Sequence, residues 1–280
     1  MIDNVLLSEH IRPLIPIPTA LQRKGTLDGK IECVLFDIYG TLFISGSGDI
    51  SLAKDTPQKT AKLEKLLHKF RINLTPEKLL EHFFSKIEKT HGILKKNGID
   101  YPEVRIDRIW TQVLENNDAD QVRAFALEFE LIVNPVYPMP HLAALLSGLR
   151  ERKLWMGMIS NAQFYTPYLF QWFLDANHEA LGFCTDLVFF SYQFGYAKPS
   201  PFLFNLAASK LKEKGIMEHS VLYVGNDMLN DIYPAERTGF KTALFAGDSR
   251  SLRLRKDEPK CKHLSADIVI TDIIQLLDYL

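Results

Sequence analysis

Three cysteines in 280 residues leave little basis for covalent cross-links or soft-metal chemistry. Cys33, Cys184 and Cys261 are odd in number, far apart, and in neither CxxC nor Cys/His spacing. This argues against a disulfide framework and against a zinc site. Cys33 and Cys184 lie in apolar runs, so buried thiols are expected. Excess charge of one sign is missing too: 33 basic against 34 acidic residues leave a formal net charge of −1. A large nucleic-acid surface needs surplus Lys and Arg to displace counterions from phosphates, so no nucleic-acid partner is expected. No uninterrupted apolar run approaches the ~18 residues of a membrane span. The start, MIDNVLLSEHIRPLIPIP, carries acids, a histidine and three prolines, without the basic head and apolar centre of a secretory signal. No membrane partner is expected, and the expected location is cytoplasmic. Internal repeats and low-complexity segments are absent. What is present, 46% hydrophobic and 24% charged residues, is the ordinary composition of a globular chain long enough for one or two domains.

Residues 1–27 show no clear period and are punctuated by Pro13, Pro16 and Pro18, so they read as an extension lying on the main body. Ile31 to Phe36 is a short apolar run that fits a buried strand. It ends abruptly at Asp37-Ile38-Tyr39-Gly40-Thr41. From Pro57 to about Leu131 apolar residues recur at helical spacing: Leu63, Leu66, Leu67 and Phe70, then Leu79, Leu80, Phe83, Phe84 and Ile87. Thr75-Pro76-Glu77 is a helix start, a capping hydroxyl followed by proline at the first helical position. Further helices are expected over 107–114 and 120–131. After Asn134-Pro135 strands alternate with helices. Strands are expected at 154–159, 187–190, 221–224, 242–245 and 268–270, with helices near 140–151 and 201–214. Such alternation means a parallel sheet covered by helices on both faces, a Rossmann-like α/β core. The expected division is an extension over 1–27, a core over 28–44 and 136–280, and an inserted all-helical unit over 45–135.

In open parallel sheets ligands bind at the carboxyl ends of the strands, and polar groups gather there in four places. They are Asp37 with Thr41, Ser160 with Asn161, Lys198 before Pro199, and Asn226-Asp227 with Asp231. A carboxylate at the tip of a buried strand suits covalent catalysis, which divides one difficult displacement into two easier ones. A fixed lysine steadies negative charge as it develops. Clustered acids suit a hard cation such as Mg²⁺.

These four motifs, in this order and spacing across residues 31–245, resemble the haloacid dehalogenase superfamily. The resemblance implies Asp37 as nucleophile, with Thr41, Ser160 and Asn161 hydrogen-bonding the phosphoryl or leaving group and Lys198 neutralising charge. It also implies a Mg²⁺ site made of the Asp37 carboxylate, the backbone carbonyl of Tyr39 and the fourth motif. There either Asn226 ligates through its amide, or Asp227 takes that duty with Asp231 in support. Tyr39, Ser160 and Asn161 would line the substrate site. Family members insert a cap after the first motif, which closes over the site and selects substrates.

Two departures divide the functional reading. Family phosphatases carry a second aspartate where this chain has Tyr39. That acid protonates the leaving alkoxide, a role worth about 10²–10⁴-fold, and a tyrosine of ordinary pKa about 10 fills it poorly at neutral pH. The Asp-x-Tyr-Gly-Thr form resembles the dehalogenase branch, whose halide leaving group needs no proton. That branch is metal-free, however, and carries a cap arginine for the halide, with no match among Arg71, Arg105, Arg108 and Arg123. Paired Asp227 and Asp231 point instead to metal-assisted phosphoryl transfer. The reading adopted is a Mg²⁺-dependent hydrolase of a small phosphomonoester through an aspartyl-phosphate at Asp37. The alternatives are a metal-independent 2-haloacid dehalogenase and a weakly catalytic member that binds a phosphorylated ligand. Ser45-Gly46-Ser47-Gly48-Asp49 is too short and unpatterned for a P-loop and reads as a hinge into the cap, with Asp49 a candidate for the missing acid. Arg105 or His91 is a candidate to face substrate, although His91, like His82 and His141, reads rather as an ordinary surface or interface residue.

Overall fold

The computed structural model describes residues 9–47 and 57–280. In chain order these form β1 (Lys24–Gly25), β2 (Cys33–Phe36), β3 (Phe43–Ser45), α1 (Pro57–Lys69), α2 (Pro76–Lys96), α3 (Ile106–Val113), α4 (Ala119–Val133), β4 (Val136–Pro138), α5 (Leu142–Glu151) and β5 (Trp155–Ser160). They continue with α6 (Tyr168–Leu174), β6 (Phe183–Phe190), the single turn α7 (Ser191–Phe194), α8 (Phe202–Glu213) and β7 (Val221–Gly225). A π-helical turn, Met228–Ile232, leads into α9 (Tyr233–Thr238), followed by β8 (Lys241–Phe245), β9 (Ile268–Ile270) and 3₁₀ turns over Ile273–Tyr279.

A seven-stranded sheet runs in the order β1-β9-β8-β7-β2-β5-β6, parallel throughout except for β1, which pairs antiparallel with β9. Alternate residues of each strand face opposite sides, and both sides are buried. Val34, Phe36, Met156, Met158, Leu222 and Val224 pack beneath α5, α6 and the C-terminal turns, while Cys33, Leu35, Ile159 and Tyr223 pack beneath α8 and α9. The expected core strands are therefore present, β6 starting four residues earlier than its apolar run. The reading of residues 1–27 changes in one respect. Lys24–Gly25 joins the sheet as an edge strand, and Ile17 is tied to Asp248 and Ser249. No apolar pattern announced that edge, because main-chain pairing there needs none.

The helices between β3 and β4 build a second apolar core of their own. Phe83 stacks on Trp110 with centroids 4.3 Å apart, and Phe125 and Phe129 close around that pair. Thr75 caps α2 as expected, accepting from Lys78 N at 3.4 Å, with Pro76 in the first turn. Where this unit joins the sheet, β3 and β4 pair antiparallel, Phe43 to Pro138 and Ser45 to Val136. Asn134 Oδ1 accepts from Ser45 Oγ, Ser47 N and Ser47 Oγ, which holds the entering and leaving chains together. Trp110→Ala is expected to destabilise the protein by about 3–5 kcal/mol, the cost of truncating a large buried aromatic. Urea denaturation followed by fluorescence of the remaining tryptophans measures it, and a loss below 1 kcal/mol would show that the stack carries little of this core. Among the described residues no helix is long and apolar enough to cross a membrane.

Candidate active site

The chain leaves β2 toward β5 and β6 on one side and returns to β7, β8 and β9 on the other, so the carboxyl end of β2 lies at the point where strand order reverses. Phe36 pairs with Met158 and Val224, and Asp37 N donates to Val224 O at 2.9 Å. This register brings Asp37, Ser160 and Asn226 to one end of the sheet. Beyond Asp37 the chain turns tightly, with Thr41, Leu42 and Phe43 N–H groups all donating to Ile38 O. Gly40 occupies this turn at φ +86°, and a Cβ there would lie 2.5 Å from Ser251 Cβ, so both backbone and space require glycine.

Asp37 is buried and its two oxygens differ. Oδ1 accepts from Ser160 Oγ at 2.9 Å and Lys198 Nζ at 2.7 Å, whereas Oδ2 accepts, among the described residues, from the Thr41 hydroxyl alone at 3.4 Å. Lys198 Nζ also donates to Asp231 Oδ1 at 2.5 Å and Tyr223 OH at 3.1 Å. Burial favours the neutral amine, but the Asp231 and Asp37 carboxylates outweigh it and hold the Lys198 pKa above its ordinary value. Asn161 holds the lysine's backbone, accepting from Lys198 N at 2.7 Å and donating to Lys198 O at 3.3 Å. Tyr223 OH donates to Ile159 O at 2.8 Å, completing the support beneath the ammonium.

The fourth motif is fully engaged. Asp231 Oδ2 accepts from the N–H groups of Asn226 and Asp227 at 3.0 and 2.9 Å. Gly225 is needed there, since a Cβ would meet the Asp231 carboxyl carbon at 2.4 Å. Burial pushes Asp231 up to about 7, against the pull of Lys198. Asp227 caps the π-helical turn through Leu229 N and Asn230 N, and forms a two-pronged pair with Arg255 at 3.0 and 2.6 Å. Asn226 Oδ1 accepts from Thr41 Oγ1 at 3.0 Å, and its Nδ2 donates to Ser251 O.

These residues form the floor of a pocket of about 400 Å³ that also reaches the cap. Asp37, Tyr39, Asn161, Lys198, Asn226, Asp227 and Asp231 line it. Thr41 and Ser160 do not; both are fully buried. Tyr39 OH is bonded to Thr166 Oγ1 at 2.9 Å, and burial together with the Glu130 carboxyl pushes its pKa far up. As a proton donor it is therefore worse than a solvated tyrosine. The cap contributes Glu103 and Glu130. Glu103 accepts from Ser191 Oγ at 2.6 Å and Val104 N at 2.9 Å. Glu130 accepts from Tyr165 OH at 2.9 Å and Asn134 Nδ2 at 3.1 Å. Burial pushes each carboxyl up to about 7.

Arg105, one candidate to face substrate, does not line the pocket; its guanidinium is held by Asp107 at 2.8 Å. His91 does not line it either. In the fourth motif, where either Asn226 or Asp227 with Asp231 in support was expected to ligate metal, the Asp227 and Asp231 oxygens accept from Arg255, from Lys198 and from backbone N–H groups. Among the described residues the one group of three acid or histidine side chains within 4.8 Å of one another is Glu9, His10 and Glu128, where Lys69 already sits 2.6 Å from Glu128. Asp49 lies outside the described residues. Sequence reasoning missed Tyr223, Arg255, Glu103 and Glu130. Two had a signal: Tyr223 is a hydroxyl within an apolar strand, and Glu130 an acid within an apolar helical run. Buried polar groups of either kind need partners or a purpose.

The model of the haloacid dehalogenase-like hydrolases matches residues 31–239, well over half the chain. The chain belongs to that family and is an enzyme of the hydrolase class. An uncharacterized hydrolase of Schizosaccharomyces pombe is 25% identical over 225 residues, covering 74% of this chain and 86% of that protein. Among solved structures, a 2-haloacid dehalogenase from Pseudomonas syringae pv. tomato matches with a TM-score of 0.53 at 18% identity, covering 89% of this chain and 97% of that one. A phosphatase of the family from Thermococcus onnurineus matches with a TM-score of 0.53 at 17% identity, with the same coverage. The fold is thus shared with dehalogenases and phosphatases alike.

Proposed function

We propose that this hydrolase acts on a small phosphomonoester through an aspartyl-phosphate at Asp37. The observation carrying this reading is the character of the pocket beyond Asp37. Among the described residues its cap end presents carboxyl, amide and hydroxyl groups and no arginine for a halide. Glu103 and Glu130 would repel the carboxylate of a 2-haloacid. Asp37 Oδ2, the less engaged oxygen, attacks phosphorus, and the bond from phosphorus to the leaving oxygen breaks. Water then attacks the phosphorus of the aspartyl-phosphate, releasing inorganic phosphate and the Asp37 carboxylate. Lys198 and Ser160 hold the other oxygen of Asp37 in place throughout.

The residues that would hold a hard cation are Asp37 through the carboxylate oxygen that does not attack, Tyr39 through its carbonyl, and Asn226 through its amide oxygen, which here accepts from Thr41 Oγ1 at 3.0 Å. This set fits Mg²⁺, which binds through one or two carboxylates together with substrate phosphate and waters. Bound there, Mg²⁺ would withdraw charge from the phosphoryl oxygens. Asp227 and Asp231 are left out of the set and act as positioning groups for Arg255 and Lys198. A cytoplasmic setting completes the reading, in keeping with three free thiols.

A second reading, metal-independent dehalogenation, is favoured by that same engagement of Asp227 and Asp231. Phosphate release from an aryl phosphate, with Mg²⁺ and with chelator, for wild type and Asp37→Asn, separates the two. Release needing both Mg²⁺ and Asp37 is expected, and an aryl ester should exceed an alkyl ester by at least about 10²-fold, because Tyr39 is a poor proton donor. Absence of phosphate release together with chloride release from 2-chloropropionate would establish the second reading instead.

A further inference from the structure

The two ends of the catalytic pocket differ in charge. Its floor mixes the cations Lys198, Arg253 and Arg255 with the acids Asp37, Asp227 and Asp231, while its cap end carries the acids Glu103 and Glu130. Those two acids are unusual in what they lack. Glu128, on the same helix as Glu130, has its cation: Lys69 Nζ donates to it at 2.6 Å. The partners of Glu130 are a tyrosine hydroxyl and an amide, and those of Glu103 a serine hydroxyl, a backbone N–H and the Gln163 amide. Among the described residues neither has a cationic partner. Asn134, Gln163 and Tyr165 turn hydrogen-bond donors toward the two carboxyls, which fixes their direction without neutralising them.

A buried carboxylate without a cation is costly, because hydroxyl and amide dipoles replace only part of its lost hydration. Among the described residues no such cation is supplied, although one is two residues away for Glu128. Both acids line one cavity, whose other end is the reaction centre, and a cation can reach them from it. Resting on the phosphomonoester reading, we propose that Glu103 and Glu130 are specificity-determining residues that hold an ammonium group on the alcohol side of the substrate, so that the enzyme prefers amine-bearing phosphomonoesters. The phosphate lies on the floor by Asp37 and Lys198, and the amine lies under the cap. A substrate with a carboxylate in place of the amine meets repulsion, and one with a hydroxyl leaves the two acids without a counter-charge. Burial raises both carboxyls to about 7, in line with the same deficit.

The test uses three esters of nearly equal size, 2-aminoethyl phosphate, 2-hydroxyethyl phosphate and carboxymethyl phosphate, with an aryl phosphate assayed beside them at pH 8. The expected order of kcat/KM is amine, hydroxyl, carboxylate, with at least a tenfold advantage of amine over hydroxyl. In Glu130→Gln, and separately in Glu103→Gln, the amine-to-hydroxyl ratio should fall several-fold, and it should approach one in the double variant. Wild type that cleaves the aryl phosphate but handles the hydroxyl ester as well as the amine overturns this inference and leaves the phosphatase reading standing. Wild type that releases phosphate from none of the four overturns both. The wild-type ratio decides the matter even where a variant fails to fold.

Discussion

Lys198→Met is expected to lower stability by about 3–5 kcal/mol and to remove turnover, whereas Asp37→Asn should remove turnover alone. The difference follows from what each change leaves behind. Lys198 is almost fully buried and bridges Asp37 at 2.7 Å and Asp231 at 2.5 Å. Without its ammonium two carboxylates share a dry site with no cation between them, and stranding one partner of a buried ion pair typically costs that amount. Asp37→Asn leaves the Lys198–Asp231 pair and the Tyr223 hydroxyl in place, so the fold keeps its counter-charge. The loss of the nucleophile should still reduce kcat by at least about 10³-fold. Adding Asp231→Asn to Lys198→Met should recover part of the lost stability and none of the activity. Urea denaturation and phosphate release on the four proteins check this, and a Lys198→Met protein within 1 kcal/mol of wild type would show that the lysine is not the keystone of the carboxylate cluster.

Glu130→Gln should become progressively more stable than wild type as pH rises from 4.5 to 8, by up to about 3 kcal/mol, and Glu103→Gln should behave alike. Both carboxyls have folded-state pKa values of about 7 against an ordinary 4.5. The fold therefore favours the protonated form. The stability this gives is complete below the unfolded value of 4.5 and is lost as pH rises through the folded value of 7. A shift of about 2.5 units at 1.36 kcal/mol each gives the stated size. Glutamine does not ionise, so its difference from wild type isolates this contribution from every other titrating group. Chemical denaturation at pH 4.5, 6 and 8 measures it, and a difference that stays flat across the three would mean that neither carboxyl is held in a dry site. Residues that lower stability at working pH and line a catalytic cavity are the kind retained for function.

Most of the sheet could be read from the chain because buried parallel strands are short unbroken apolar runs closed by turn residues, and 33–36, 155–160, 221–225 and 268–270 all have that form. The cap helices were equally plain, since Leu63 to Phe70 and Leu79 to Ile87 repeat at the spacing of one helix face. The site was legible in part for the same reason. Asp37, Ser160 and Asn226 stand where β2, β5 and β7 end, and strand ends in such sheets are where ligands bind. The roles within the fourth motif were not legible. Asn226, Asp227 and Asp231 are all capable oxygen donors, and their duties depend on Arg255 and Lys198, which lie 28 residues after Asp227 and 33 residues before Asp231.

Local sequence thus determined the elements, the order in which they alternate and the polar residues at the ends of β2, β5 and β7, because periodicity, capping and turn chemistry act over a few residues. Tertiary structure alone decided that Asp227 pairs with Arg255, that Tyr223 supports Lys198, and that Glu103 and Glu130 share a cavity with Asp37. Those are contacts between segments far apart in the chain. Burial, charge pairing and pocket shape arise only when the cap has folded over the sheet.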